Sequence, residues 1–149
     1  MKKILMVCLG NICRSPLAEG LLKSKVDPSK VEVQSAGTGG WHVGELPDPR
    51  SIEIANKYGL DITNQRGKQF STYDFEIYDH IFVMDNSNYR DVMKLATNPY
   101  EEQKVHLILE ETHPGEKRDV PDPYHGGDEG FENVYQLLDA ACEKIAARL

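Results

Sequence analysis

Cys8 and Arg14 stand six positions apart in the run Cys8-Leu9-Gly10-Asn11-Ile12-Cys13-Arg14-Ser15. Those residue types at that spacing suit attack on phosphorus. A thiolate is a strong nucleophile. A guanidinium is a planar fork that holds two oxygens of a phosphoryl group at once, where a lysine offers a single point charge. A short loop between the two can turn successive backbone N–H groups inward as an anion-binding nest. That nest, the Arg14 charge and the positive end of a following helix all favour the ionised form of the Cys8 thiol. Gly10 is expected to supply a positive φ or a close backbone approach. Asn11 also tolerates the left-handed region, and its amide can brace the loop. Ser15 is expected to cap the next helix, with its hydroxyl also placed to donate to the Cys8 sulfur as that sulfur becomes a leaving group. Pro16 suits the first helical position, where a missing N–H is no loss.

A phenolate leaving group needs a proton, and the resulting thiophosphate needs an activated water. One carboxyl group can do both in turn. Asp122 in Val120-Pro121-Asp122-Pro123-Tyr124 fits the task, because prolines on both sides stiffen its loop. The same residues also read as a turn-forming Asp-Pro, and on pattern alone both readings stay open. Asp119, three residues earlier, is the rival for that task, but beside Arg118 it reads as a solvated surface charge. Asp48 in Pro47-Asp48-Pro49-Arg50 reads as a helix N-cap with Pro49 in the first turn. Trp41 is the sole tryptophan. With Tyr124 it flanks the proposed site loops, and the two rings are expected to wall a cleft for an aromatic group; half-buried packing is the alternative for Trp41.

The elements that position these residues alternate. Apolar runs at 3–7, 31–34, 80–84 and 105–109 read as strands. Leu17, Leu21, Leu22 and Val26 mark one helix face, and 51–58 reads as a helix stopped by Gly59. Asp85 opens a helix reaching about residue 96, and Phe131, Val134, Leu137, Leu138, Ala141 and Ile145 mark the last helix. The pattern predicts one α/β domain spanning 1–149, a four-stranded parallel sheet of order 2-1-3-4 with helices on both faces. Ligands bind such sheets at the switch point between strands 1 and 3. The Cys8 loop follows strand 1 and Asp85 follows strand 3, so Asp85 reads as a helix cap or as a brace for the site. The glycine-rich stretch 35–40 is not GxGxxG, which argues against a dinucleotide.

Seventeen Lys and Arg against 24 Asp and Glu give a net charge of −7. That balance disfavours nucleic acid and anionic membrane surfaces as partners. No apolar run has transmembrane length. Lys2-Lys3 and the short apolar run after them fall short of a signal peptide, so a cytoplasmic location is expected, with signal-independent export left open. The cysteines Cys8, Cys13 and Cys142 are too few for a disulfide scaffold and fit a reducing compartment. Neither they nor His42, His80, His106, His113 and His125 have metal-ligand spacing, so no metal and no cofactor are expected. The chain is expected to act as a monomer.

The segments Val7 to Pro16, Met84-Asp85 and Asp122-Pro123-Tyr124, with Phe131-Glu132 and the C-terminal helix, resemble the low-molecular-weight protein tyrosine phosphatases across essentially the whole chain. The resemblance implies a flavodoxin-like sheet and hydrolysis of phosphotyrosine in proteins, and of small aryl phosphates, through a cysteinyl-phosphate intermediate, with inorganic phosphate as product. By motif match it implies Cys8 as nucleophile, Arg14 as phosphate clamp and Asp122 as general acid. Leu9, Gly10, Asn11, Ile12, Cys13 and Ser15 would form the phosphate loop, and Trp41 and Tyr124 would lie beside the substrate ring. It further implies Cys13 as a reversible redox partner for Cys8, against the alternative of an ordinary buried thiol. Two departures stand out. Tyr124 is followed by His125 where many members carry a second tyrosine, which bears on leaving-group preference and on tyrosine-based regulation. Gln65 falls where some animal members place a histidine that holds the loop serine, which leaves the bracing of Ser15 unassigned. Among rivals, an arsenate reductase needs a second cysteine pair that Cys142 alone cannot supply. An arginine phosphatase tends to carry threonine where this chain has Ile12. A non-catalytic phosphate-binding module has no use for an acid, so Cys8, Arg14 and Asp122 together argue against it.

Overall fold

The computed structural model describes residues 1–124 and 127–149. The expectation attached to His125 lies outside the described residues. Strands β1 (Lys2–Cys8), β2 (Val31–Gly37), β3 (His80–Val83) and β4 (Val105–Leu107) form one parallel sheet in the order β2-β1-β3-β4. This is the order expected from the alternating pattern. A parallel sheet is covered on both faces, and β1 shows how the sequence meets that demand. Ile4, Met6 and Cys8 enter one core while Leu5 and Val7 enter the other. The first core is closed by helices α1 (Arg14–Lys23), α2 (Pro49–Lys57) and α6 (Asp128–Ala147), through residues such as Leu17, Leu21, Ala55, Phe131 and Val134. The second takes Phe75 of the short helix α3 (Asp74–Ile77), Val92 of α4 (Asn86–Met93), and Phe70 and Tyr78 beside them.

Several boundaries differ from the sequence reading. Strand β2 runs on to Gly37 because it pairs with β1 along its full length, Lys2 opposite Val31 through Cys8 opposite Gly37. Ser35, Ala36 and Gly37 are thus strand and not loop. Strand β4 stops at Leu107, where its short partner β3 ends, and the chain enters a 3-10 turn at Ile108–Glu111. Helix α1 begins at Arg14, with Cys13 at the N-cap and no side-chain cap. Ser15 therefore does not cap, because its hydroxyl is engaged elsewhere, and Pro16 is the third helical residue. Its absent N–H is still one of the amides that have no intrahelical partner. Two short helices have no apolar period to announce them. One is α3; the other is α5 (Pro99–Glu102), where Asn98 accepts from Glu101 N at 2.8 Å.

Other caps fall where the sequence puts them. Asp48 accepts from Arg50 N at 2.8 Å and starts α2. Gly59, at φ +79°, ends that helix as Leu60 N returns to Ala55 O. No helix among the described residues is long and apolar enough to cross a membrane.

Candidate active site

The chain leaves the carboxyl end of β1 at Cys8 and enters α1 at Arg14, and the loop between them is held by its carbonyls. Cys8 O accepts from Thr38 N at 2.9 Å, Leu9 O from Gly39 N at 2.9 Å, Ile12 O from Asp48 N at 2.8 Å and Cys13 O from Ser51 Oγ at 3.2 Å. Because the peptide unit is planar and trans, each outward carbonyl turns the next N–H toward the loop interior. Leu9, Gly10, Cys13 and Arg14 accordingly aim their amides inward. The chain reverses at Asn11, which has φ +58°. The positive φ expected of Gly10 is thus taken by Asn11. Gly10 instead gives room, since a Cβ there would lie 3.2 Å from His42 Cδ2. Gly37 is the tighter case: a Cβ would sit 2.8 Å from Leu9 O and 3.0 Å from Asn11 N.

Asn11 organises the sulfur. Its Oδ1 accepts from Lys68 N at 3.0 Å, which fixes the orientation of the amide. Its Nδ2 then donates to Ser15 Oγ at 2.7 Å and Ser35 Oγ at 3.0 Å. With one lone pair of Ser15 Oγ so occupied, the hydroxyl hydrogen is free to point at Cys8 Sγ, 3.0 Å away; the Ala36 carbonyl is farther, at 3.5 Å. Asn11 N donates to the same sulfur at 3.3 Å. Gln65 does not brace Ser15. Its Nε2 donates to Pro16 O at 3.1 Å.

Arg14 is buried and pinned from below. One terminal nitrogen, Nη1, donates to Asp85 Oδ2 at 2.6 Å and to Val120 O at 2.9 Å. Burial alone would lower the guanidinium pKa. The negative charges of Cys8, Asp85 and Asp122 outweigh it and hold the pKa above its usual value. Asp85 is both the cap and the brace, because Oδ1 accepts from Asn88 N at 2.7 Å and starts α4. The other nitrogen, Nη2, lies 3.7 Å from Asp122 Oδ2. Asp122 takes the turn that its motif suggests, its Oδ1 accepting from Tyr124 N at 3.1 Å, while Oδ2 faces Arg14. Val120 anchors this loop, since its N–H donates to Met84 O at 2.8 Å. Asp119 is not simply solvated. It accepts from the Asn86 backbone at 2.8 Å and from its side chain at 2.6 Å.

Above the loop is a cleft of about 240 Å³ lined by Cys8, Leu9, Gly10, Ile12, Cys13, Arg14, Trp41, His42, Asp122 and Tyr124. Asn11 and Ser15 are buried behind it and shape the loop from there. Trp41 is 69% exposed, so it stands as a free wall of the cleft and is not core packing. His42, with Nδ1 3.1 Å from Glu45 Oε2, is a cleft residue that no spacing in the sequence marks. Ser35 and the Val120 carbonyl were equally illegible, because their roles depend on contacts across the fold. The three cysteines are free thiols. Burial first, then the charges of Asp48, Cys8 and Asp122, push Cys13 up to about 12, and burial pushes Cys142 up to about 12.

Residues 3–149 match the family described as low molecular weight phosphotyrosine protein phosphatase. A protein of that name from Schizosaccharomyces pombe is 43% identical over 92% of this chain and 90% of its own length. A protein tyrosine phosphatase from Entamoeba histolytica, crystallised with Hepes in its active site, superposes with a TM-score of 0.92 at 34% identity, covering 99% of this chain and 96% of that one. Wzb from Vibrio vulnificus in complex with benzylphosphonate gives 0.89 at 32% identity, covering 99% of each chain. The chain belongs to the low-molecular-weight phosphotyrosine protein phosphatase family.

Proposed function

We propose that this chain is a single catalytic domain that hydrolyses phosphotyrosine in proteins. The observation that carries the reading is the convergence on one sulfur. Ser15 Oγ and Asn11 N approach Cys8 Sγ at 3.0 and 3.3 Å, at the centre of a loop whose amides face inward. In this reading the amides and Arg14 hold the phosphoryl oxygens, and Cys8 Sγ attacks phosphorus in line. The S–P bond forms as the P–O bond to the tyrosine breaks, and protonated Asp122 gives its proton to the departing phenolate. The Asp122 carboxylate then takes a proton from water, whose oxygen attacks phosphorus. The S–P bond breaks, inorganic phosphate leaves, and the sulfur recovers its electron pair with a hydrogen bond from Ser15. Trp41 and Tyr124, both lining the cleft, support an aromatic substrate. The three free thiols support a reducing, cytoplasmic setting, and the enzyme is taken to act as a monomer.

An aryl phosphate assay in chelator tests the reading. Wild type is expected to turn over, Cys8→Ser to be inert, and Asp122→Ala to lose roughly 10²–10⁴-fold in kcat. Activity retained by Cys8→Ser contradicts it. Phosphoarginine, and arsenate with a thiol donor, are expected to be poor substrates; a preference for either moves the chain to the corresponding rival.

A further inference from the structure

Beside the catalytic cleft lies a larger concavity of about 420 Å³, whose lining includes Ile54 and Phe131 as apolar floor and Glu53, Glu129 and Arg50 as charged rim. One wall separates it from the cleft. Arg50 Nη2 donates to the Tyr124 carbonyl at 2.9 Å, and the guanidinium lies 5.6 Å from the Tyr124 ring centre and 4.7 Å from that of Phe131. Tyr124 lines the cleft, whereas Arg50 and Phe131 line the groove. A polypeptide that seats a tyrosine ring against Tyr124 therefore carries its neighbouring side chains past this wall.

The charges decide what the groove accepts. Arg50 is matched by Asp48 at 3.1 Å, and Lys57, also on the rim, by Glu132 at 2.6 Å. The carboxylates of Glu53 and Glu129 have no ion pair or hydrogen bond among the described residues. Two uncompensated carboxylates beside an apolar floor complement an aliphatic stem that ends in a cation. The enzyme as a whole carries a net charge of −7. A cation next to the phosphate also offsets the repulsion between that charge and a phosphate dianion.

We propose, on the phosphotyrosine reading of the cleft, that this groove is a recognition subsite for a lysine or arginine side chain flanking the phosphotyrosine of the substrate. The test compares kcat/KM for matched phosphotyrosine peptides bearing Lys, Ala or Glu at each flanking position in turn, with a small aryl phosphate alongside. The expected result is a preference for Lys over Ala of roughly 1.5- to fivefold at one or two positions, the range exposed charge pairs give. The preference should fade at high ionic strength. In the double variant Glu53→Gln, Glu129→Gln it should disappear, while turnover of the aryl phosphate stays at the wild-type level. Aryl phosphate turnover with no Lys preference, with a preference for Ala or Glu, or with a Lys preference that survives in the double variant overturns the subsite and spares the catalytic reading. Failure to turn over either substrate overturns both.

Discussion

The Cys8 sulfur has two donors directed at it, and each depends on Asn11: one is its own backbone N–H, the other is the Ser15 hydroxyl that its amide orients. Hydrogen bonds to charged groups contribute about 1.5–3 kcal/mol each. Ser15→Ala is therefore expected to lower kcat by roughly ten- to a hundredfold, most where breakdown of the thiophosphate limits turnover; steady-state kinetics with an unchanged kcat would count against this role. The other thiols differ in kind. With Cys13 and Cys142 at about 12, both stay protonated through the neutral range. Iodoacetate at neutral pH is expected to label Cys8 alone, read by peptide mass spectrometry. Comparable labelling of Cys13 would show that the selectivity assigned to the loop is absent. Cys8 was legible because a thiol, an arginine and a helix start fall at fixed spacing. His42 was not, because its place against Gly10 depends on how the turn after Trp41 folds back over the loop.

Two elements meet at Asp85, which caps α4 with one oxygen and holds Arg14 with the other. Substitution separates the functions. Asparagine remains a good N-cap, while alanine forfeits about 1 kcal/mol of helix stability. Asp85→Asn is expected to keep most of the thermal stability and to lose about tenfold in kcat/KM as the charge-assisted bond to Arg14 weakens. Asp85→Ala is expected to lose both. Equal losses of stability in the two variants, measured by thermal unfolding, would mean that the capping bond is not what Asp85 contributes. At this scale the sequence showed where strands and helices alternate, because burial imposes its period on each. It did not show that β2 continues through Ser35 to Gly37, because three small residues in a glycine-rich stretch look like loop until β1 pairs with them. Nor did it show α3 and α5, each only four residues long.

Across the molecule, α2 and α6 are tied by Glu132, which accepts from Lys57 at 2.6 Å, Tyr58 at 2.7 Å and Gln136 at 2.9 Å. The Gln136 bond first, then those of Lys57 and Tyr58, lower the Glu132 carboxyl from its ordinary 4.5 to about 2. A depressed carboxylate stabilises the fold above its unfolded value and loses that contribution as pH falls from 4.5 through 2. Denaturation curves of wild type and Glu132→Gln should therefore differ most above pH 4.5 and converge toward pH 2. A gap that widens in acid would contradict the sign. These helices pack with α1 on one face of the sheet, and the fold as a whole presents the end of β1 to the end of β3. The central claim is that Cys8 carries the phosphoryl group during turnover. The direct measurement is rapid acid quench of Asp122→Ala turning over an aryl phosphate with an acidic phenol, followed by peptide mass spectrometry. Such a leaving group departs without a proton donor, while hydrolysis of the thiophosphate still lacks its base. A phosphoryl group accumulating on Cys8 is the predicted result; turnover with no phosphoryl adduct, or with the adduct on another residue, would contradict it.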